Sequence, residues 1–272
     1  MGLIASSSSN TSYTNASFDK GIGKFVLDSD REAIKAIKAS IGYEDKHGYH
    51  TATASQMLAM MKEQNIATFG GASGELEGVE LFEKDVARYY KVRLSETNGE
   101  GKKEFTTLTM SISNTGNRNN SHVAGVIASL DQLKKGDNVD IGLWMAQAKG
   151  QDGKPVLTRG GDEIYNAASI VKKDGEKVDI KGKTLITKDT FAAKREALAQ
   201  AGLDKEQVGK AIDTDEVKLI MDRARAQAER MPITRAAHDE AHAAEAGDAP
   251  EFAGQETPAD EKKAAGASPD WS

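Results

Sequence analysis

The feature that most constrains the fold is a period-two alternation of apolar residues in the middle of the chain. The stretches "ARYYKVRLSE" and "EFTTLTMSIS" alternate on either side of the turn-forming "TNGEGKK", so they predict an antiparallel hairpin. The stretch "NVDIGLWMAQ" alternates as well, and it predicts a further strand with one buried face. Stretches of this kind require an antiparallel sheet with one apolar face packed over a core.

Assigning the two faces strand by strand leaves an aromatic residue on the outer face of each predicted strand. The predicted inward residues are Tyr90, Val92, Leu94, Thr106, Leu108, Met110, Ile112, Val139, Ile141, Leu143 and Met145. In "EIYNAASIV" the predicted inward set is Ile164, Asn166, Ala168 and Ile170. The aromatic residues left on the outer face are Tyr89, Phe105, Trp144 and Tyr165, and Lys91 and Arg93 share that face.

Aromatic side chains interleaved with cations on an open sheet predict a platform for unpaired nucleic-acid bases. Each base stacked on an aromatic ring contributes ~1 to 3 kcal/mol, while Lys and Arg neutralise phosphates. The alternative is that helical segments cover this face, so that the aromatics form a second core layer. Residues 80–182 contain 16 Lys and Arg against 15 Asp and Glu. A nucleic-acid groove in this region therefore requires local placement of charge.

The remaining chain divides by composition into segments around a sheet domain at residues 79–187. Residues 1–20 are rich in Ser, Asn and Thr and are predicted to be disordered. Residues 21–78 contain two helical patterns and end in "FGGASGELEG", which predicts a small helical segment and a glycine-rich linker. A helix is predicted at "SHVAGVIASLDQL" within the sheet domain, and residues 188–232 follow a helical period. Residues 233–272 are rich in Ala, Glu and Pro and are predicted to be disordered.

Charge and composition limit the class of protein further. The net charge is −6, and the segment from Asp239 to Ser272 holds nine acids against two lysines, so the acidity belongs to the C-terminal tail. The chain has no cysteine, which excludes disulfides and thiol chemistry and favours a cytoplasmic setting. No stretch approaches the ~18 apolar residues of a membrane helix, so no membrane partner is predicted.

The stretch "LKKGDNVDIGLWMAQAKGQDGKPVLTRGGDEIYNAASIV" resembles the second half of the single-stranded-DNA-binding (SSB) proteins of bacteria and their phages. In that family a Lys-Gly-Asp turn enters a strand, an Asp-Gly hairpin follows, and a strand with small apolar residues closes an OB barrel. The upstream hairpin fits the first two strands of such a barrel. The terminal "SPDWS" is similar in kind to the aromatic tip of the acidic tail with which SSB proteins recruit partners. The additional segments suit a divergent phage or plasmid version.

The resemblance implies a mainly β protein: an OB-fold-like five-stranded antiparallel barrel with flanking helical segments and a disordered acidic C-terminal tail. It implies a non-catalytic protein that coats and protects single-stranded DNA during replication, recombination or repair, in a bacterial cell or phage-infected host. The predicted stacking residues are Tyr89, Phe105, Trp144 and Tyr165. The predicted phosphate contacts are Lys91, Arg93, Lys102, Lys103, Lys149, Lys154 and Arg159. Asp270 and Trp271 in the tail are predicted to contact replication or recombination proteins.

A second hypothesis is a structural or adaptor protein, such as a virion or assembly component, that uses the sheet face for protein contacts. The sequence contains no G-x-S-x-G, P-loop or H-E-x-x-H motif, so no catalysis, metal or cofactor is predicted. Whether the chain forms a homo-oligomer is left open.

Overall fold

The structure of the protein is a computed structural model that describes residues 11–44, 49–84, 87–113, 116–150, 152–158, 161–181, 185–186 and 189–234. Nine strands lie within these residues: β1 (Thr11–Asp19), β2 (Lys24–Leu27), β3 (Thr68–Phe69), β4 (Gly71–Lys84), β5 (Ala87–Thr97), β6 (Lys103–Ser111), β7 (Asn138–Gln147), β8 (Tyr165–Lys173) and β9 (Glu176–Lys177). The five helices of the same residues are α1 (Arg31–Ser40), α2 (Thr51–Glu63), α3 (Gly116–Leu130), α4 (Ala192–Gln200) and α5 (Lys205–Arg230).

All of these strands belong to one open sheet in the order β3-β2-β1-β6-β5-β4-β7-β8-β9. Neighbouring strands are antiparallel, except that β1 runs parallel to β6. The fold is therefore mixed α/β, and the prediction of a mainly β protein with a closed five-stranded barrel is corrected. The reason is that β1 occupies the edge of β6, and it satisfies backbone groups there that an edge strand would leave unpaired.

The N-terminal strand was missed by the sequence prediction. Residues Thr11–Asp19 fall within the segment predicted to be disordered, yet they form seven residue pairs with β6, from Thr11 opposite Lys103 to Ser17 opposite Thr109. Ala16 and Phe18 contribute to the core, while Tyr13 faces the other side of the sheet beside Phe105. Strand β1 has few apolar residues of its own, and most of the β6 residues opposite it are polar as well. Its sequence therefore shows little apolar alternation.

The glycine-rich stretch predicted as a linker lies in the sheet instead. Strand β4 pairs through its first residues with β7 and through the rest with β5, and its register shifts between Leu76 and Gly78. A Cβ atom added at Gly71 would lie 1.9 Å from the Ile141 carbonyl oxygen. A Cβ atom at Gly78 would lie 2.7 Å from the Met231 carbonyl oxygen. These glycines permit close backbone approach, so their role is packing rather than flexibility.

The main core lies between one face of the sheet, called here the inner face, and helices α3 and α5. Its buried members include Leu76, Val79, Tyr90, Val92, Leu94, Leu108, Met110, Ile112, Val123, Ile127, Leu130, Val139, Ile141, Leu143, Ile220 and Ala224. The inward assignment of the predicted strands β5, β6 and β7 is thus confirmed for the apolar residues in this set. The Tyr90 hydroxyl donates to Gln227 Oε1, and Gln227 Nε2 donates to the Ile127 carbonyl at 3.0 Å. This buried pair ties α5 to α3 and the sheet.

A second core lies on the opposite face of the sheet, called here the outer face, at β2. Val26 points to this face because its neighbour Phe25 belongs to the main core. Helices α1 and α2 pack over it with the buried side chains Ile22, Ile34, Ile37, Tyr43, Met57 and Met61. The N-terminal helices predicted from the isoleucine and methionine spacing are confirmed, and they cover only this end of the outer face.

The C-terminal helices differ slightly from their prediction. Within residues 188–232 the apolar spacing predicts two separate helices, at 204–212 and 214–231, and the structure has the single helix α5 in their place. Thr214 lies inside it and donates to the Lys210 carbonyl four residues earlier at 3.0 Å, so the helix continues through this residue. The described residues up to Thr234 form one compact unit, and Arg235–Ser272 lie outside the described residues.

Candidate nucleic-acid interface

The outer face carries a cluster of aromatic and cationic side chains from three adjacent strands: Tyr13, Arg93, Lys103 and Phe105, called here the Phe105 cluster. The rings of Tyr13 and Phe105 are stacked, with centroids 5.2 Å apart and planes at 11°. The Arg93 guanidinium lies 5.7 Å from the Tyr13 ring centroid, and Lys103 Nζ lies 5.5 Å from that of Phe105. Two strands pairing in register with β6 bring these residues together, since Tyr13 and Ser95 both lie opposite Phe105.

A second aromatic group lies further along the same face: Phe82, Tyr89 and Lys91, called here the Phe82 cluster. Phe82 and Tyr89 are opposite each other in the β4–β5 ladder, with ring centroids 6.2 Å apart. Lys91 Nζ lies 4.7 Å from the Phe82 ring centroid. Tyr89 and Arg93 are four residues apart on β5, so the two clusters are separated by roughly 13 Å along that strand.

The surface between the two clusters is small and polar. Thr107 and Thr109 of β6 point to the outer face between Phe105 and Ser111, and their side chains are nearly buried by their neighbours. Arg93 Nε donates to Thr107 Oγ1 at 3.5 Å, and Arg93 also donates to the Thr234 carbonyl at 3.4 Å. Short polar side chains therefore separate the two clusters along β6.

Carboxylates moderate the positive charge of both clusters. Glu77 Oε1 lies 2.5 Å from Lys103 Nζ and accepts a hydrogen bond from Ser95 at 2.6 Å. Burial alone would raise the pKa of Glu77, but the hydrogen bonds from Lys103 and Ser95 outweigh it and lower the pKa. The same hydrogen bond raises the pKa of Lys103. Lys91 lies 3.6 Å from Glu80, so both lysines have a carboxylate partner in the free protein.

Trp144 lies on the outer face, as predicted, but away from both clusters. It is 41% exposed and lies opposite Ala168 in the β7–β8 ladder. The ladders place Phe105 opposite Ser95, Ser95 opposite Glu75, and Glu75 opposite Asn138 of β7. Trp144 therefore lies roughly 14 Å across the sheet and roughly 20 Å along β7 from Phe105. The aromatic residues predicted for the outer face therefore do not form one continuous group, because Trp144 of β7 is separated from Phe105 of β6.

Tyr165 points to the opposite side of the sheet from Trp144, so the face assignment of this strand was wrong. In the β7–β8 ladder Trp144 is opposite Ala168, whereas Ala167 and Val171 are buried in the main core. The strand carries apolar residues at consecutive positions, so its alternation fits either face. Contact with α3 selects the odd-numbered set, because Ser121 Oγ donates to the Ala167 carbonyl at 2.6 Å and Gly125 admits Ser169.

Tyr165 belongs to a different neighbourhood from the one predicted. Its ring lies 5.0 Å from that of Tyr49, and its hydroxyl donates to Glu163 at 2.8 Å and accepts from Thr51 Oγ1 at 3.1 Å. It therefore connects the end of β8 to the N-terminal helices rather than to the outer-face clusters.

The predicted loop cations fall into two groups. Lys102 lies in the β5–β6 turn next to Lys103, 3.1 Å from Glu100, and so borders the Phe105 cluster. Lys149 and Lys154 lie in the β7–β8 hairpin. Lys149 forms an isolated antiparallel β-bridge with Pro155, and Lys154 Nζ lies 3.8 Å from Asp152. This hairpin extends β7 beyond Trp144 rather than toward Phe105. Arg159, Asp270 and Trp271 lie outside the described residues.

Two site residues were missed by the sequence prediction. Tyr13 lies in the segment predicted to be disordered, and Phe82 lies just before the first predicted strand. The alternation of Glu80 and Phe82 with Val79 and Leu81 was the only signal for Phe82, and it is short. For Tyr13 the sequence offers little signal, because its strand is defined by pairing with β6.

Within the described ranges, no group of three or more His, Cys, Asp or Glu side chains is arranged to hold a metal ion. The described helices include none that is both long and apolar enough to span a membrane.

Comparison of the chain with models of known protein families gives no match, and a search of curated proteins gives none either.

Proposed function

We propose that the protein binds single-stranded DNA on its outer face without catalysing a reaction, and that it coats the strand during replication or recombination. The observation that carries the proposal is the Phe105 cluster. It combines two stacked aromatic rings with two cations on adjacent strands. Rings offer stacking surface to any base, and cations neutralise the phosphates between bases.

The strand arrangement supports an OB-like core. Strands β4 to β8 follow the sheet order β6-β5-β4-β7-β8, β4 pairs with both β5 and β7, and α3 connects β6 to β7. In an OB fold the second and third strands and the loop between the last two bind oligonucleotides. The equivalent elements here are β5, β6 and the β7–β8 hairpin. Strands β5 and β6 carry the Phe105 cluster except Tyr13, and β5 carries the Phe82 cluster except Phe82. The hairpin carries Lys149 and Lys154.

The likeness to SSB proteins gives this proposal its further parts. A divergent SSB-like protein with an acidic tail would recruit replication or recombination proteins through the tail end, at Asp270 and Trp271. Strand β1 lies beside β6 and adds a third strand to the proposed binding surface. It supplies Tyr13, so it enlarges the stacking surface.

An adaptor that binds protein through the same face is the second candidate, and one observation favours it. Lys91 and Lys103 are already paired with Glu80 and Glu77, which lowers the positive potential that a phosphate backbone would meet. Salt dependence separates the two functions, since phosphate neutralisation gives a steep dependence on salt.

The experiment is a salt titration of binding between the full chain and fluorescently labelled oligo-dT, followed by anisotropy. For a single strand, log K should fall against log salt with a slope of about −0.7 for each phosphate contacted. Four contacts or more would give a slope steeper than about −2.8. Absence of binding at low salt would overturn the proposal and leave the adaptor function.

A further inference from the structure

A cleft of about 590 Å³ lies outside the two outer-face clusters, between α1, the β1–β2 turn and the ends of β6, β7 and β8. Four cations line it: Lys20 from the turn, and Arg31, Lys35 and Lys38 from α1. The α1 cations are spaced at i, i+4 and i+7, so they form one stripe on the helix. Among the described lining residues Asp19 is the only acid. The cleft is therefore the more basic of the concave surfaces beside the sheet.

Two of these cations have carboxylate partners that a ligand could replace. Arg31 Nε lies 3.2 Å from Asp28, and Lys35 Nζ lies 2.5 Å from Glu32. Both pairs are close neighbours on the chain and lie at least partly in solvent, where ion pairs contribute little to stability. Lys38 differs, because its pair with Asp19 at 2.7 Å is mostly shielded from solvent. Arg31 and Lys35 are thus available to a phosphate, while Lys38 stays structural.

Tyrosine side chains form another wall of the cleft. Tyr49 and Tyr165 lie with ring centroids 5.0 Å apart and planes at 57°. Tyr43 lies against the β1–β2 turn, where a Cβ atom at Gly21 would come within 2.7 Å of its hydroxyl. Rings beside cations repeat the chemistry of the Phe105 cluster on a different part of the surface.

The cleft is continuous with the outer face. Ser111 lines the cleft and is also opposite Tyr89 of the Phe82 cluster in the β5–β6 ladder. Ser17 lines it too, is opposite Thr109, and accepts a hydrogen bond from Arg31 at 2.7 Å. A DNA strand that lies along β6 would therefore reach Arg31 by passing over Ser17 of β1.

We propose that this cleft is a second binding site for the same DNA strand: after Tyr89 and Ser111, its phosphodiesters contact Arg31 and Lys35, and a base packs against Tyr49 and Tyr165. The inference rests on the proposed function and deepens it, because it assigns the N-terminal helices a direct part in binding.

The state of Lys20 supports an anionic ligand. Burial lowers the pKa of Lys20 to about 8, so holding this charge in the free protein is unfavourable. Its charge acts on buried His122 of α3, whose pKa is lowered well below its usual value by burial first and by Lys20 second. A phosphate in the cleft would favour the charged form of Lys20 and relieve this cost.

The test compares two lengths of oligo-dT, about 4 and about 16 nucleotides, which span the range of site sizes for OB folds. The variant is Arg31→Gln with Lys35→Gln in the full chain. Its control is Lys62→Gln, which removes an exposed cation of α2 that does not line the cleft. Phe105→Ala serves as the outer-face reference and should weaken binding of both lengths.

We expect the double variant to bind the short strand as the unchanged protein does. For the long strand, the slope of log K against log salt should be smaller by about 1.4, since two phosphate contacts are lost. Lys35→Gln alone, at a mostly exposed residue, should reduce it by about 0.7 and keeps the test valid if the Arg31 change affects folding. An unchanged slope on the long strand in Lys35→Gln and in a folded double variant overturns the second site. Failure of the unchanged protein to bind either strand overturns the proposed function instead.

Discussion

The Phe105 cluster, whose rings are half-buried, and the exposed Trp144 are two aromatic regions on one face of one sheet, and they differ in their surroundings. Phe105 is stacked on a neighbouring strand's ring and has cations within 6 Å of both rings. Trp144 is the more exposed side chain, but its ladder neighbour is Ala168, and no ring or cation contact of Trp144 occurs among those found in the described residues. Exposure of an aromatic side chain and its grouping with other rings and cations are therefore separate properties of this face.

The difference follows from how each residue is held. Phe105 is placed by three strands in register, so its ring, Tyr13 and Arg93 are fixed with respect to one another. Trp144 lies past the end of the β4–β7 ladder, which starts at Gly71 opposite Gly142. A ring held among other rings and cations loses less conformational freedom on binding a base than one on an isolated strand end.

The largest expected effect is that of Phe105→Ala on binding of oligo-dT. Removing the central ring of the cluster should weaken binding by about 1 to 3 kcal/mol, the range for one stacked base. Fluorescence anisotropy of a labelled strand measures this change, and thermal unfolding checks that the half-buried position tolerates it. Phe105→Tyr is the matched control, since it keeps the ring and should bind normally.

Trp144→Ala should have a smaller effect, about 1 kcal/mol, at the lower end of the same range. Because the Trp144 ring lies far from Phe105, it can stack a base only where the bound DNA strand continues toward the β7–β8 hairpin. Tryptophan fluorescence on titration with oligo-dT reports on this contact when the signal of Trp144→Ala, which retains Trp271, is subtracted. If Trp144→Ala weakens binding more than Phe105→Ala, the centre of the interface lies on β7 and the comparison above is reversed.

Where the sequence succeeded, a single physical pattern decided the outcome. Tyr90, Val92 and Leu94 are separated by polar residues, so only one face could be buried, and the facing of Tyr89 followed. The isoleucine spacing of α1 and the apolar face of α3 were sufficient in the same way. The facing of Trp144 and Phe105 is confirmed for the same reason.

Where the sequence prediction is wrong, the structure depends on contacts between residues that are far apart in the sequence. Ala167 and Ala168 are equally apolar, and packing against α3 chose between them. Tyr13 meets Phe105 only because β1 runs beside β6, ninety-two positions later in the chain. Gly71 and Gly78 look like a flexible stretch until the backbones of β7 and the 231–232 segment are placed against them. Apolar alternation predicts which face of a strand is buried, but it does not predict which strands and helices lie next to that strand.

A charge substitution in the Phe105 cluster should change the salt dependence more than the affinity at low salt. Arg93→Gln removes one cation of the cluster, so the slope of log K against log salt should be smaller by about 0.7. Lys154→Gln in the β7–β8 hairpin is the comparison for the Trp144 side. An equal or larger loss of slope in Lys154→Gln would place the phosphate path along the hairpin.

The smallest expected effect, and the only gain, is that of Glu77→Gln. This change removes the carboxylate partner of Lys103 and should tighten binding of oligo-dT at low salt, while Glu80→Gln makes the same test at Lys91. The cost appears in stability, because the pKa of Glu77 is lowered in the folded protein. A lowered pKa means that in the acid range the unfolded chain binds more protons than the folded protein, so the contribution of Glu77 is complete above its unfolded pKa and is lost as pH falls through its folded pKa. The difference in unfolding free energy between the unchanged protein and Glu77→Gln should therefore shrink as pH falls through the acid range, followed by denaturant unfolding. A difference that stays constant with pH would mean that folding does not lower the pKa of Glu77, so its pairing with Lys103 would not account for the gain in binding.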